Sequence, residues 1–276
     1  MTMKDYFKFT LKGEKLLPIW LLYLVFAVFP TIYVQVLSRS MNQQPHQAGE
    51  VIQKLGSQFQ IFGWILIIMI VRYAISFFIA KMSIEHFEYK NTTFSFIGKF
   101  GDFMGLLLLN LLFTIISFGI YSPWMIKNIM NFFADNSSHQ NDAPEFKGKG
   151  GKLFLIITFT LMIPVVILSI CFSVFIAMVT KQASDIEMKT AIYTSIFVVL
   201  ISMMMLTYIY YVYKWFANFN FKGYSIQWET SFWDSVGKIA LEAIFSVITL
   251  GIYTPLACVK LYQYFTERTI ARSDLK

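Results

Sequence analysis

Long apolar runs separated by short polar connectors organise this chain. Six can be drawn, roughly 16–37, 59–80, 103–122, 153–179, 190–213 and 236–257, each apolar around its whole circumference. Several reach the roughly 20 residues that cross a hydrocarbon core about 30 Å thick. Pro30 and Pro164 interrupt the first and fourth runs, a kink that membrane helices tolerate when neighbours satisfy the freed carbonyl. The fourth run has no polar turn inside it and reads as one tilted or kinked span. Between the runs, residues 7–13, 94–98 and 226–228 alternate aromatic and polar positions. They predict short extended segments, either a recognition edge or an aromatic belt at headgroup level. Residues 136–151 are the most polar stretch and predict a flexible loop.

The pattern repeats. Ser117-Phe118-Gly119-Ile120-Tyr121-Ser122-Pro123 returns as Thr249-Leu250-Gly251-Ile252-Tyr253-Thr254-Pro255, about 132 residues later. At that offset Asp102 matches Asp234, Gly105 matches Gly237 and Phe133 matches Phe265, and Pro30 and Pro164 lie nearly as far apart. The expected fold class is therefore all-α: a polytopic membrane protein of about six transmembrane helices, built as two three-helix repeats, 1–140 and 141–276. An odd number of spans per unit reverses the second copy, so the halves are expected as inverted repeats. Each Gly-Ile-Tyr unit suits a span that ends and bends. Glycine permits the break, tyrosine anchors at an interface, and Pro123 and Pro255 suit the first turn of a new helix. Short interfacial amphipathic helices such as 124–134 should follow.

Composition sharpens the membrane reading. Hydrophobic residues make up 57% of the chain and charged residues 14%, against about 25% charged in a soluble domain. The net charge of +7 lies in short connectors, where it sets topology and touches anionic headgroups. No basic helix or RNA-binding signature points to nucleic acid. With six spans and the N-terminus inside, thirteen Lys and Arg fall on the cytoplasmic side and nine outside, which favours both termini inside. The first run follows Lys4, Lys8, Lys12 and Lys15 but is longer than a signal core, and it reads as an uncleaved span. Cys171 and Cys258 stand in apolar runs away from any Cys or His and read as small buried hydrophobes.

An aromatic-x-aromatic-x-Gly connector at Phe94–Gly98, an apolar run closing in Gly119-Ile120-Tyr121-Ser122-Pro123-Trp124, and an amphipathic stretch to Ala134 form a combined motif. With it the chain resembles the YjgN-like family of bacterial inner-membrane proteins, whose activity is uncharacterised. The resemblance covers roughly 90–152 and, more weakly, 214–268, where Leu256 replaces the tryptophan. It implies a multi-pass protein of the bacterial plasma membrane and supplies no catalytic residues.

Intramembrane charge costs on the order of 2.5–3.5 kcal/mol, so each such residue needs a reason. Arg72 lies near the middle of the second run, Glu242 inside the sixth, and Asn110 at the position equivalent to Glu242. Together they form the candidate polar site, gripping an ion or solute or else joining helices, with Arg72 expected to reach Glu242, Asn110 or helix-end carbonyls. His46, His86 and His139 fall in connectors and form no H-E-x-x-H motif, and no G-x-S-x-G or phosphate-binding loop occurs. No enzyme, metal or cofactor is expected. The lipid bilayer is the expected partner, beside a protein or small solute. Two functions remain: a structural or interaction role in the envelope, or a small-solute or ion transporter using its repeats.

Overall fold

The computed structural model describes residues 7–42, 50–179 and 186–273; Lys4, His46 and Lys181 lie outside them. In the first half, β1 (Phe7–Phe9) leads into α1 (Gly13–Tyr23), which continues through a π-helical turn, Leu24–Val28, into α2 (Phe29–Asn42). α3 (Glu50–Glu85) returns to β2 (Phe87–Tyr89), β3 (Thr92–Thr93) and β4 (Ser95–Phe96). α4 (Phe100–Ile116), α5 (Ser122–Asp135) and β5 (Ser137–Ser138) follow. The second half repeats this order: β6 (Glu145–Phe146), α6 (Gly150–Ile157), a π-helical turn at Thr158–Met162, α7 (Ile163–Val179), α8 (Ile186–Phe216), β7 (Phe219–Phe221), β8 (Tyr224–Trp228), α9 (Phe232–Ile248), α10 (Thr254–Glu267) and β9 (Thr269–Ser273). Both π turns immediately precede a proline, Pro30 or Pro164. The proline ring lacks an N–H and clashes with the carbonyl four residues back, and a widened turn relieves the crowding.

Strand pairing decides the architecture. β1 pairs with β2, β4 with β5, β6 with β7 and β8 with β9, all antiparallel. Each of these pairs flanks one helical excursion, so every excursion leaves and re-enters at the same place. The excursions alternate between long and short. Strands of both halves meet in one layer, where the Phe221 ring lies 5.4 Å from both Tyr89 and Phe94 and 5.8 Å from His139. The extended connectors expected from aromatic alternation are thus real strands, and the chain is predominantly helical rather than all-α. The stretch 136–151 is no loose loop. It contributes β5 and β6, buries His139, and ties to the second half through Lys222 and Asp142 at 3.3 Å.

Among the described residues, four helical stretches are long and apolar enough to cross a membrane: Gly13–Val36, Phe59–Glu85, Gly150–Met178 and Ala191–Phe216. The third and sixth apolar runs differ. α4 and α9 have 17 residues each, about 25 Å at 1.5 Å per residue, and the chain then doubles back. α5 is no separate surface helix, because Phe132 and Phe133 return to pack on Phe103 at 5.6 Å. The Gly-Ile-Tyr units are the tips of two helical hairpins. At each tip a glycine sits at positive φ, +88° at Gly119 and +87° at Gly251, a conformation that Cβ-bearing residues resist. Its N–H reaches back five residues, Gly119 to Thr114 O and Gly251 to Ser246 O. Ser117 Oγ accepts the Tyr121 N–H and Thr249 Oγ1 accepts the Tyr253 N–H. The side chains at these turns are apolar and outward. Phe118 is 97% exposed and Leu250 89%.

The eight helical legs close on themselves. α3 packs on α4, α5 on α6, α8 on α9, and α10 returns to α1. Two glycines set the closing contacts. A Cβ on Gly13 would stand 3.0 Å from Leu256, and one on Gly150 2.7 Å from Trp124. The smaller Leu256 in the second copy still occupies the place of Trp124.

Gly119→Val and Gly251→Val should each cost about 1–2 kcal/mol, because the substituted residue must hold left-handed backbone. Gly105→Ala, at a helical position with open space around it, should stabilise by up to about 1 kcal/mol. Thermal unfolding in detergent reads both, and equal effects at all three sites would remove the turn from its assigned role.

Candidate functional site: polar groups in the hairpins and beside Arg72

The two hairpins carry the same three-point polar contact with different chemistry. In the first, Asn110 is 4% exposed. Its Oδ1 accepts from Asn128 Nδ2 at 2.7 Å, and its own Nδ2 donates to Leu106 O at 2.7 Å. Asn128 Nδ2 also reaches the Tyr121 hydroxyl at 3.2 Å. In the second, the equivalent positions are Glu242, Lys260 and Tyr253. Tyr253 Oη donates to Glu242 Oε2 at 2.9 Å, and Lys260 Nζ donates to Tyr253 Oη at 2.6 Å. Lys238 Nζ completes the set at 2.8 Å from Glu242 Oε1, one turn earlier on α9. Glu242 is 1% exposed. Burying a carboxylate that deeply is costly unless it is paired and hydrogen-bonded, and here both oxygens have a donor.

Helix spacing explains the geometry. Asn110, Thr114 and the tip share one face of α4, as Glu242, Ser246 and the tip share one face of α9. Thr114 Oγ1 donates to Asn110 O and Ser246 Oγ to Glu242 O, so hydroxyls along this face are spent on the helix itself. The tyrosine of each Gly-Ile-Tyr unit turns inward to the polar triad rather than outward to an interface. The sequence reading missed Asn128 and Lys260, although the repeat offset that pairs Asn110 with Glu242 also pairs these two.

Arg72 does not join this chemistry. Its guanidinium lies 5.7 Å from the centroid of Tyr23, between α1–α2 and α3. Tyr23 in turn stacks on Trp20 at 4.9 Å, and Trp20 Nε1 donates to Gly251 O at 2.9 Å. Asn110, Glu242 and Arg72 therefore occupy three separate places, and the expected Arg72–Glu242 contact is absent. Ile120 and Ile252 face outward, and Pro123 and Pro255 sit buried in the first turn of α5 and α10. Among the described residues no cluster of His, Cys, Asp and Glu could hold a metal. Cys171 is exposed and Cys258 half-buried, so Cys171 is not the buried residue the sequence suggested.

Asn110→Leu should destabilise by about 1–3 kcal/mol, because it removes the shorter of the Asn128 amide's two hydrogen bonds in a buried site. Asn110→Leu/Asn128→Leu should recover part of that loss, since both partners are then apolar. A double-mutant cycle read by unfolding in detergent measures the difference; additive losses would mean that the two amides do not cooperate.

Comparisons with known proteins agree with the membrane architecture. Residues 5–276 match the family described as "Bacterial protein of unknown function (DUF898)". A curated relative, inner membrane protein YjgN of Salmonella typhimurium, is 34% identical over 80 residues. That match covers 29% of this chain and 20% of the relative. No solved structure matches the chain. With nearly its whole length matched, the chain belongs to this YjgN-like family of bacterial proteins of unknown function.

Proposed function

We propose that the protein is a non-enzymatic scaffold of the bacterial inner membrane, with four crossings and two half-depth hairpins wedged into the cytoplasmic leaflet. The observation that carries this reading is the Trp20–Gly251 hydrogen bond. Measured along α1, Trp20 stands seven residues from Gly13, about 10 Å at helical rise. The spanning stretch runs on past it to Val36. A hairpin tip held at Trp20 stops far short of the opposite face. Trp124, just past the first tip, lies against Gly150 and Phe154 at the start of α6, in keeping with the same depth. The apolar, outward tips fit a hydrocarbon surrounding.

Two crossings per half give both halves the same orientation, as parallel repeats about an axis along the membrane normal. Charge supports that topology independently. By sequence position, Arg39, Lys54, Lys181 and Lys189 fall beside the two far connections, and Arg72 lies within α3. The rest of the 23 Lys and Arg residues fall at the strand layer or in the hairpins. Six spans gave a weak bias, whereas four spans give a strong one. That bias supports a cytoplasmic strand layer and cytoplasmic termini.

Transport has less support. Asn110 and Glu242 are consumed within their own hairpins, and Arg72 stands apart from both. A wedge confined to one leaflet instead favours a role in shaping the bilayer or holding a protein partner there.

Single cysteines in a background lacking Cys171 and Cys258 test the topology. In inverted and right-side-out vesicles, Ser138→Cys and Glu229→Cys should label only from the cytoplasmic side, and Ile120→Cys and Ile252→Cys from neither. Periplasmic labelling at Ile120 would mean that α4 crosses. For the role, reconstituted protein should partition into small, highly curved vesicles over large ones of the same lipid. Equal partition together with protein-dependent solute flux would favour the transporter reading.

A further inference from the structure

We infer that the recess beside Arg72 is a binding site for the phosphate headgroup of an anionic phospholipid drawn below the cytoplasmic interface. The recess has a volume of about 220 Å³ and lies between α1–α2 and α3. Tyr23, Thr31 and Gln35 supply polar groups beside Arg72, while Val28 and Ile32 form an apolar wall. Thr31, Ile32, Gln35 and Arg72 are exposed at the surface of the molecule, which for a spanning helix pair is the lipid-facing side.

The guanidinium demands an anion. It cannot shed its proton in a protein, and it carries five N–H donors in a planar fork that matches phosphate. Tyr23 covers one face of it at 5.7 Å. Among the described residues no ion pair includes Arg72. Glu242, the buried carboxylate of the neighbouring hairpin, is already held by Lys238 and Tyr253. A lone charge at this depth costs about 2.5–3.5 kcal/mol even on insertion scales, and a bound phosphate would offset that cost.

The duplication removes a purely architectural explanation. At the repeat offset, Met204 on α8 stands where Arg72 stands on α3. The same helix is built without the charge, so the fold does not require it. Depth then selects the source of the anion. Arg72 lies nine residues from Lys81 along α3, about 13 Å at helical rise. In the topology proposed above, on which this inference rests, the mouth opens onto acyl chains rather than water, and the apolar wall would hold the upper part of such a chain. A dissolved phosphate would gain nothing from that wall.

Native mass spectrometry of the full-length protein, purified from mixed phosphatidylglycerol and phosphatidylcholine, tests the site. Wild type should retain one phosphatidylglycerol preferentially. Arg72→Met, which copies the second half, should lower that preference at least tenfold. Lys152→Met, at the start of α6, should leave it unchanged. The proposal fails if wild type shows no preference, if Arg72→Met keeps it, or if Lys152→Met lowers it equally. Displacement of the lipid by millimolar inorganic phosphate would also overturn it, by assigning the site to a dissolved anion. The wild-type preference and the phosphate competition decide the matter even if Arg72→Met does not fold.

Discussion

Inside a bilayer an unpaired backbone amide has no water to fall back on, and each one left open costs several kcal/mol. Everything distinctive about this fold follows from meeting that constraint where a helix stops short. α4 and α9 end at tips whose outward side chains are apolar, and the chain must reverse there with its N–H groups satisfied. The glycine at positive φ lets its N–H reach a carbonyl five residues back, and the serine or threonine before it takes the tyrosine N–H. Proline then opens the return helix at a position where an N–H would have had no partner anyway. Seven neighbouring residues thus solve a problem that a fully spanning helix never meets.

The duplication shows which parts of that solution are fixed and which are open to change. Turn geometry agrees between the copies to within a degree at glycine φ, +88° against +87°. The polar contact behind the turn differs completely: two amides in one copy, a carboxylate and two ammonium groups in the other. What both keep is a bond from the outgoing leg to the returning leg, made directly by Asn128 to Asn110 in the first copy and by Tyr253 to Glu242 in the second. Leg-to-leg bonding is thus the common requirement, and charge is one way to meet it. The ionic version demands the extra donor Lys238, because a carboxylate has two oxygens to satisfy, and at its equivalent position the amide version has Leu106.

Much of this was legible in the sequence. Apolar runs gave the helices, aromatic alternation gave the strands near 7–9, 95–96 and 226–228, and the repeated Gly-Ile-Tyr unit marked two turns of matching geometry. The direction of the chain after each unit was not legible. A 20-residue apolar run reads as a crossing whether it continues or folds back, and local periodicity carries no record of it. The deciding information lies in the pairing of strands such as β8 and β9, whose partners are some 45 residues apart. The inward turn of Tyr121 and Tyr253 was hidden for a related reason. A tyrosine beside Gly and Pro at the end of an apolar run has the composition of an interface anchor, and only the returning helix supplies the polar partner that pulls it inside. Asn128 and Lys260 fell within stretches taken for surface helices, where polar residues need no explanation.

The same reversal changes what the charges mean. Taken as six crossings, Lys127, Lys147, Lys149 and Lys152 belong to the periplasmic side and blur the orientation. Once α4 and α5 return to the layer they left, these residues join the N-terminal lysines, and the bias becomes one-sided. Topology inferred from a hydrogen bond at Trp20 and topology inferred from charge are separate lines of reasoning. They converge on the proposed topology, in which neither hairpin crosses. In the proposed topology, the layer of short strands held together by Phe221, Tyr89, Phe94 and His139 faces the cytoplasm. Its short strands and basic residues then stand apart from the outward apolar side chains of the helices and hairpin tips, such as Phe118 and Leu250.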